Sequence, residues 1–147
     1  MTIVDMSSSS SFNKNGNNSR ILVVDDEPDA ALVYKIVLEH NGFKVDSFTD
    51  PLLALSNFKP NLYDLAILDI KMPDMNGFKL YREIKKIDSK VKVCFLTASE
   101  MFYEEYRKNE VVEEEDVTAL DKDHLFLLKP LSNQDLLQKI NKIMMSH

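Results

Sequence analysis

Five residues in this 147-residue chain have the types and spacing to do chemistry together: adjacent carboxylates at Asp25 and Asp26, a lone carboxylate at Asp69, a hydroxyl at Thr97 and an ammonium at Lys129. Each follows a short apolar run, namely 21–24, 65–68, 91–96 and 125–128. If the runs are strands of one sheet, the polar groups collect at one edge. Two carboxylates about 4 Å apart repel by roughly 4 kcal/mol at an effective dielectric near 20, so three together need neutralising and one lysine cannot do it. Either a carboxylate holds a proton or a divalent cation binds. An oxygen-rich, partly open set of this kind suits Mg²⁺ that keeps some of its waters. A cation there would also screen an incoming phosphoryl group, while Lys129 and the Thr97 hydroxyl hold two of its oxygens. The chemistry these residues suit is acceptance of a phosphoryl group by Asp69.

Positioning them requires alternating strands and helices. The run Leu65-Ala66-Ile67-Leu68 has no polar face, as expected of a strand buried on both sides in a parallel sheet. The spacing predicts strands over 21–24, 44–48, 63–69, 91–96 and 125–128. Helices are predicted over 30–40, stopped by Asn41-Gly42; over 52–58, opened by Asp50-Pro51 and closed by Pro60-Asn61; and over 78–87, with Phe78, Leu80, Tyr81, Ile84 and Ile87 inward. A fourth should start near Ser99, with Phe102, Tyr103 and Tyr106 inward. The last, over 133–145, opens on Ser132 and Asp135, with Leu136, Leu137, Ile140, Ile143 and Met144 inward. Such alternation implies an α/β, doubly wound (βα)5 domain with right-handed crossovers. In the flavodoxin-like strand order 2-1-3-4-5 the first and third strands are neighbours, and their acids meet at the topological switch point.

Composition narrows the partners. A net charge of -6 argues against nucleic acid or an anionic membrane as direct partner, since both call for clustered Lys and Arg. No apolar run approaches the roughly 20 residues of a spanning helix, and no signal peptide is evident, so a soluble, cytoplasmic protein is expected. The single cysteine, Cys94, lies in an apolar run and reads as a small core residue of a reducing compartment. Residues 1–19 are rich in Ser and Asn and are expected to form a disordered tail ahead of one domain over 20–147. His40, His124 and His147 share no metal spacing and read as surface residues.

The joint occurrence of Asp25-Asp26, Asp69 followed by Met72-Pro73 and Gly77, Thr97-Ala98 and Lys129-Pro130 resembles the receiver domain of two-component response regulators. The resemblance covers residues 20–147. It implies that Asp69 is the phosphoacceptor, charged by a sensor histidine kinase or phosphotransfer protein. It also implies Mg²⁺, with Mn²⁺ as a substitute, held by Asp26, by Asp25 through water, by Asp69 and by the backbone carbonyl of Lys71. Thr97 would donate to the phosphoryl group and Lys129 would pair with it. Thr97 would then move inward and Phe126, three residues before the lysine, would fill the vacated space; the alternative for Phe126 is an ordinary core aromatic. The readout would be a change in the face built from the fourth helix, fifth strand and fifth helix.

The chain ends directly after the last helix, so the expectation is a stand-alone receiver acting on a separate output protein, as a monomer or a phosphorylation-dependent dimer. It would not be an enzyme beyond its own phosphorylation and dephosphorylation. Two alternatives stand beside this: an unphosphorylated pseudo-receiver serving as a scaffold, and a Mg²⁺-dependent phosphatase working through an aspartyl phosphate. The phosphatase would usually carry an acid two residues after the nucleophile, where this chain has Lys71. Lys71 and Ser99 occupy positions that in the family tune the phosphoryl lifetime. The chain departs from the family between Thr97 and Lys129, where an acidic insertion is centred on 108–123. From Ser99 to Asp123 ten acids face three bases, a net -7. That stretch is either a lengthened helix or solvated acidic loop, or a docking surface for a basic partner.

Overall fold

A computed structural model describes residues 19–98 and 126–145. The strands are β1 (Arg20–Val24), β2 (Lys44–Phe48), β3 (Leu65–Asp69), β4 (Lys92–Thr97) and β5 (Phe126–Leu128). The helices among the described residues are α1 (Pro28–His40), α2 (Pro51–Asn57), α3 (Gly77–Ile87) and α4 (Asn133–Met145). All strand pairings are parallel, and the sheet order is β2-β1-β3-β4-β5. This is the doubly wound α/β architecture expected from the alternation. The helix expected near Ser99, the acidic insertion over 108–123 and, of the tail expected over 1–19, all but Ser19 lie outside the described residues. The Ser19 carbonyl accepts from the Lys44 amide at 2.9 Å, so Ser19 belongs with the domain, which includes one residue more than expected.

The local chemistry explains the boundaries. Pro28 occupies the first turn of α1, where its missing N–H costs nothing, and Gly42 adopts φ 96° to turn the chain back toward β2. Asp50 caps α2 by accepting from the Leu52 amide at 2.9 Å, and Asn76 caps α3 by accepting from the Lys79 amide at 2.9 Å. Ser132 opens α4 in the same way, its hydroxyl accepting from the Asp135 amide at 3.0 Å.

Both faces of the sheet are covered. On one, Leu22, Val24, Ala66, Leu68, Val93 and Phe95 pack against Ala54 and Phe58 of the α2 segment and against Phe78, Leu80, Tyr81 and Ile84 of α3. On the other, Ile21, Val23, Leu65, Ile67, Cys94, Leu96 and Leu127 pack against Tyr34 and Leu38 of α1 and Leu136, Ile140 and Ile143 of α4. Every residue of β3 is buried, which accounts for its unbroken apolar run. Cys94 is fully buried, and burial pushes its thiol well above the ordinary range, away from reactive thiolate. His40 is exposed, as expected of a surface residue. No helix among the described residues is long and apolar enough to cross a membrane.

Three further expectations need correction. Tyr63 is not part of the central strand, which starts at Leu65; its ring stacks on Phe58 and its hydroxyl donates to Asp46 at 2.7 Å. The α2 helix ends at Asn57, before Pro60-Asn61, where the Phe58 amide bonds to Leu55 and the chain turns extended. Ile87 is 42% exposed, because it closes the last turn of α3 beyond the point where Ile84 seals the helix onto the sheet.

Gly77 sets how closely α3 meets the end of β3. Its amide donates to the Ile70 carbonyl at 2.9 Å, and a Cβ built at Gly77 would run into the backbone carbonyl of Asp69. Gly77→Ala must therefore push α3 off the end of β3. We expect a loss of about 1–3 kcal/mol in urea unfolding, as for other overpacked sites, together with weaker cation binding by the neighbouring acids.

Candidate functional site

The carboxyl end of the sheet collects the polar groups. Asp25 leaves β1 with its amide bonded to the Phe48 carbonyl at 3.1 Å, and Asp69 is the last residue of β3. Because β1 and β3 pair directly, from Ile21 opposite Leu65 to Val24 opposite Leu68, the two acids emerge side by side. One oxygen each from Asp25, Asp26 and Asp69 lie within 4.8 Å of one another. Asp25 and Asp69 are buried and Asp26 is half-buried, so the set opens to solvent on the Asp26 side.

Lys129, just beyond β5, supplies the ammonium. Its Nζ lies 2.9 Å from Asp25 Oδ2, 3.2 Å from Glu27 Oε1 and 3.6 Å from Asp69 Oδ2. Burial works against its charge, but the Asp25, Asp69 and Glu27 carboxylates outweigh that and raise its pKa, so it stays a cation. The backbone is fixed as well: the Lys129 amide donates to the Thr97 carbonyl at 2.7 Å, tying the lysine to the end of β4. The peptide between Lys129 and Pro130 is cis.

Asp69 is the strained member electrostatically. Burial, the neighbouring charge of Asp25 and a hydrogen bond with Asp26 push its pKa up to about 7, with Lys129 opposing. With no cation bound, a proton on Asp69 is the other way to relieve the three acids, and the raised pKa favours it. Asp25 Oδ2 is fully buried, and its counter-charge is the Lys129 ammonium 2.9 Å away. Three carboxylates converging beside a single ammonium fit a hard divalent cation, and the all-oxygen donor set favours Mg²⁺ or Mn²⁺ over thiophilic metals. Both routes to neutrality expected from the sequence are thus open to the same three acids.

Thr97 ends β4, buried, and is paired with Leu128 of β5. Phe126 sits opposite Phe95, two residues back, so alternation places Thr97 and Phe126 on one face of the sheet. Phe126 is partly buried against Phe95 with ring centroids 5.5 Å apart, and Phe95 in turn meets Phe78 at 4.9 Å and Tyr81 at 5.6 Å. The aromatic contact therefore runs from β5 to the helix that Gly77 opens. Lys71 is exposed in the loop after β3, and Ala98 is exposed beyond Thr97. Ser99 lies outside the described residues.

Two neighbours were not singled out from the sequence. Glu27 reaches Lys129 across the site, and its only advance signal is a third acid in the turn after β1. Tyr34 of α1 is buried beneath the cluster; burial raises its phenol, with Lys129 opposing and Asp25, Asp69 and Glu27 adding to the rise. Nothing in a helical apolar pattern distinguishes it from an ordinary core tyrosine.

A family model described as the response regulator receiver domain matches residues 21–141. The chain is 31% identical over 124 residues to the chemotaxis protein CheY of Bacillus subtilis, an alignment covering 84% of this chain and 95% of that protein. It is 26% identical over 125 residues to the transcriptional regulatory protein RprY of Bacteroides fragilis, covering 85% of this chain and 49% of that protein. The chain thus spans about half the length of that relative. The non-phosphorylated receiver domain of HemR from Leptospira biflexa is similar with a TM-score of 0.71 and 27% identity, over 88% of this chain and 96% of that one.

The raised pKa of Asp69 has a pH signature. In an unfolded chain its carboxyl ionises near 3.8, but in the fold not until about 7, so the native state holds a proton that the unfolded state has lost between those values. Stability with the metal chelated should therefore fall as pH rises through that window and level off above it. Asp69→Asn removes the penalty. We expect the variant to be more stable than wild type at pH 8 by on the order of 1–3 kcal/mol in urea unfolding, with the gap closing toward pH 4.

Proposed function

We propose that this chain, which belongs to the response regulator receiver domain family, accepts a phosphoryl group on Asp69 from a phosphohistidine of a sensor histidine kinase or phosphotransfer protein. The observation that carries this reading is the convergence of Asp25, Asp26 and Asp69 within 4.8 Å, with Lys129 against them, at the carboxyl ends of adjoining strands. A buried carboxylate held beside both a cation-binding pair and a fixed ammonium is arranged to become an acyl phosphate.

An Asp69 oxygen attacks phosphorus in line with the leaving nitrogen. The new O–P bond forms as the P–N bond breaks, and its electron pair departs with the imidazole. Asp25, Asp26 and Asp69, with the Lys71 carbonyl, would hold Mg²⁺, or Mn²⁺ in its place; when bound, the ion supplies the positive charge that keeps Asp69 ionised and screens the phosphoryl oxygens. Lys129 pairs with one phosphoryl oxygen and the Thr97 hydroxyl donates to another. The chemistry is confined to the protein's own Asp69, so the chain acts as a switch and not as an enzyme on a separate substrate.

The signal then leaves through β5. Turning a carboxylate into an acyl phosphate adds about one negative charge beside Lys129 and Thr97. Thr97 is drawn toward the phosphoryl group, and Phe126, on the same sheet face, follows into the space released. The output is a shift in population of the face that includes β5 and α4, read by an output partner or by a second receiver on phosphorylation.

Incubation with Mg²⁺ and acetyl phosphate, followed by intact-mass measurement, tests the reading. One phosphoryl group should add to the wild type, and chelating the metal or replacing Asp69 by Asn should abolish the gain. If the wild type takes up nothing, and beryllofluoride with Mg²⁺ leaves the Phe126 resonances unmoved, phosphoryl acceptance is wrong and the interaction scaffold takes its place.

A further inference from the structure

Lys129 has a rival claimant. Its ammonium lies closer to Glu27 Oε1, at 3.2 Å, than to Asp69 Oδ2, at 3.6 Å, and Glu27 stands 102 positions away in sequence. Glu27 does not reach Lys129 by default. It is the N-cap residue of α1, where a side chain would ordinarily turn back to the helix amides, yet its carboxylate makes no capping bond. Its backbone is pinned instead, the amide donating to Asp25 Oδ1 at 3.0 Å and the carbonyl accepting from the Ala31 amide at 3.0 Å. From that fixed base the side chain projects over the site, 68% exposed, with its oxygen on the lysine.

We propose that Glu27 is a positioning residue that latches Lys129 in the unphosphorylated state and must release it before the ammonium can pair with a phosphoryl group on Asp69. The inference rests on Asp69 being the phosphoacceptor. Asp25 holds the ammonium from the buried side and cannot be given up without stranding a carboxylate that has no access to water. Glu27 is solvated, so its contact is the one that can be exchanged. The latch thus opposes every ligand that needs Lys129 at Asp69, whether an acyl phosphate or beryllofluoride. Because the pair is exposed on the Glu27 side, its effect is modest, about two- to fivefold in the equilibrium.

Two variants separate the contact from the charge. Glu27→Gln removes the charge; Glu27→Asp keeps it but withdraws the carboxylate by one methylene, and a shorter acid at an N-cap turns to the helix amides. Beryllofluoride binding is followed by ¹⁹F NMR at saturating Mg²⁺, and phosphorylation by acetyl phosphate, with loss of acetate and gain of an O–P bond on Asp69, by intact mass. Both variants should bind beryllofluoride about two- to fivefold more tightly than wild type and accept phosphoryl faster. A gain in Glu27→Gln alone, with Glu27→Asp matching wild type, overturns the latch, since negative charge near the site and not contact with Lys129 would then be responsible. Weaker binding in Glu27→Gln overturns it too, by making Glu27 a supporter of the cation site. If wild type binds beryllofluoride and both variants match it, the latch alone falls; if wild type neither binds it nor gains a phosphoryl group, phosphoryl acceptance falls first and the latch with it.

Discussion

A carboxylate with no access to solvent, Asp25, is the constraint around which the rest of the molecule is arranged. A charge in that position is tolerable only beside a counter-charge, and the one that meets it here comes from the far side of the sheet. Lys129 can reach it because β5 pairs with β4 and the Lys129 amide is bonded to the Thr97 carbonyl. The strand order thus serves the electrostatics as well as the packing. It brings the acid of the first strand, the acid of the third and the lysine after the fifth to one edge.

The same arrangement leaves the site incompletely neutralised by design of its parts. Among the described residues, Asp25, Glu27 and Asp69 meet one ammonium, and Asp26 stands beside two of them. Burial first, and the charge of Asp25 after it, raise the pKa of Asp69. A resting state of this kind is poised: a proton, a cation or a cation with a phosphoryl group can each relieve it. The aromatic run from Phe126 through Phe95 to Phe78 and Tyr81 gives the site a packed route to the opposite helix, with rings already in contact.

Much of this was legible in the chain because it is short-range. The inner strands of a parallel sheet announce themselves as apolar runs, and Asp25, Asp69, Thr97 and Lys129 each follow one. Pro28, Asp50 and Ser132 mark helix starts through chemistry that involves only the next few residues. What was misplaced depends on distant partners. Tyr63 looks like strand until Asp46 is seen to take its hydroxyl. Ile87 fits the helical stripe but falls past the edge of the sheet. Glu27 is indistinguishable from any surface acid until Lys129 arrives beside it.

The loop between β3 and α3 is closed at its mouth, since Ile70 donates to the Leu96 carbonyl at 3.0 Å and accepts from the Gly77 amide at 2.9 Å. Residues 71–76 are consequently an excursion whose two ends are fixed independently of its length. Closing a somewhat longer excursion adds little, about 0.6 kcal/mol for each doubling. The side chains of Lys71, Pro73 and Asp74 are exposed on that excursion, while the carboxylate at its foot keeps its place.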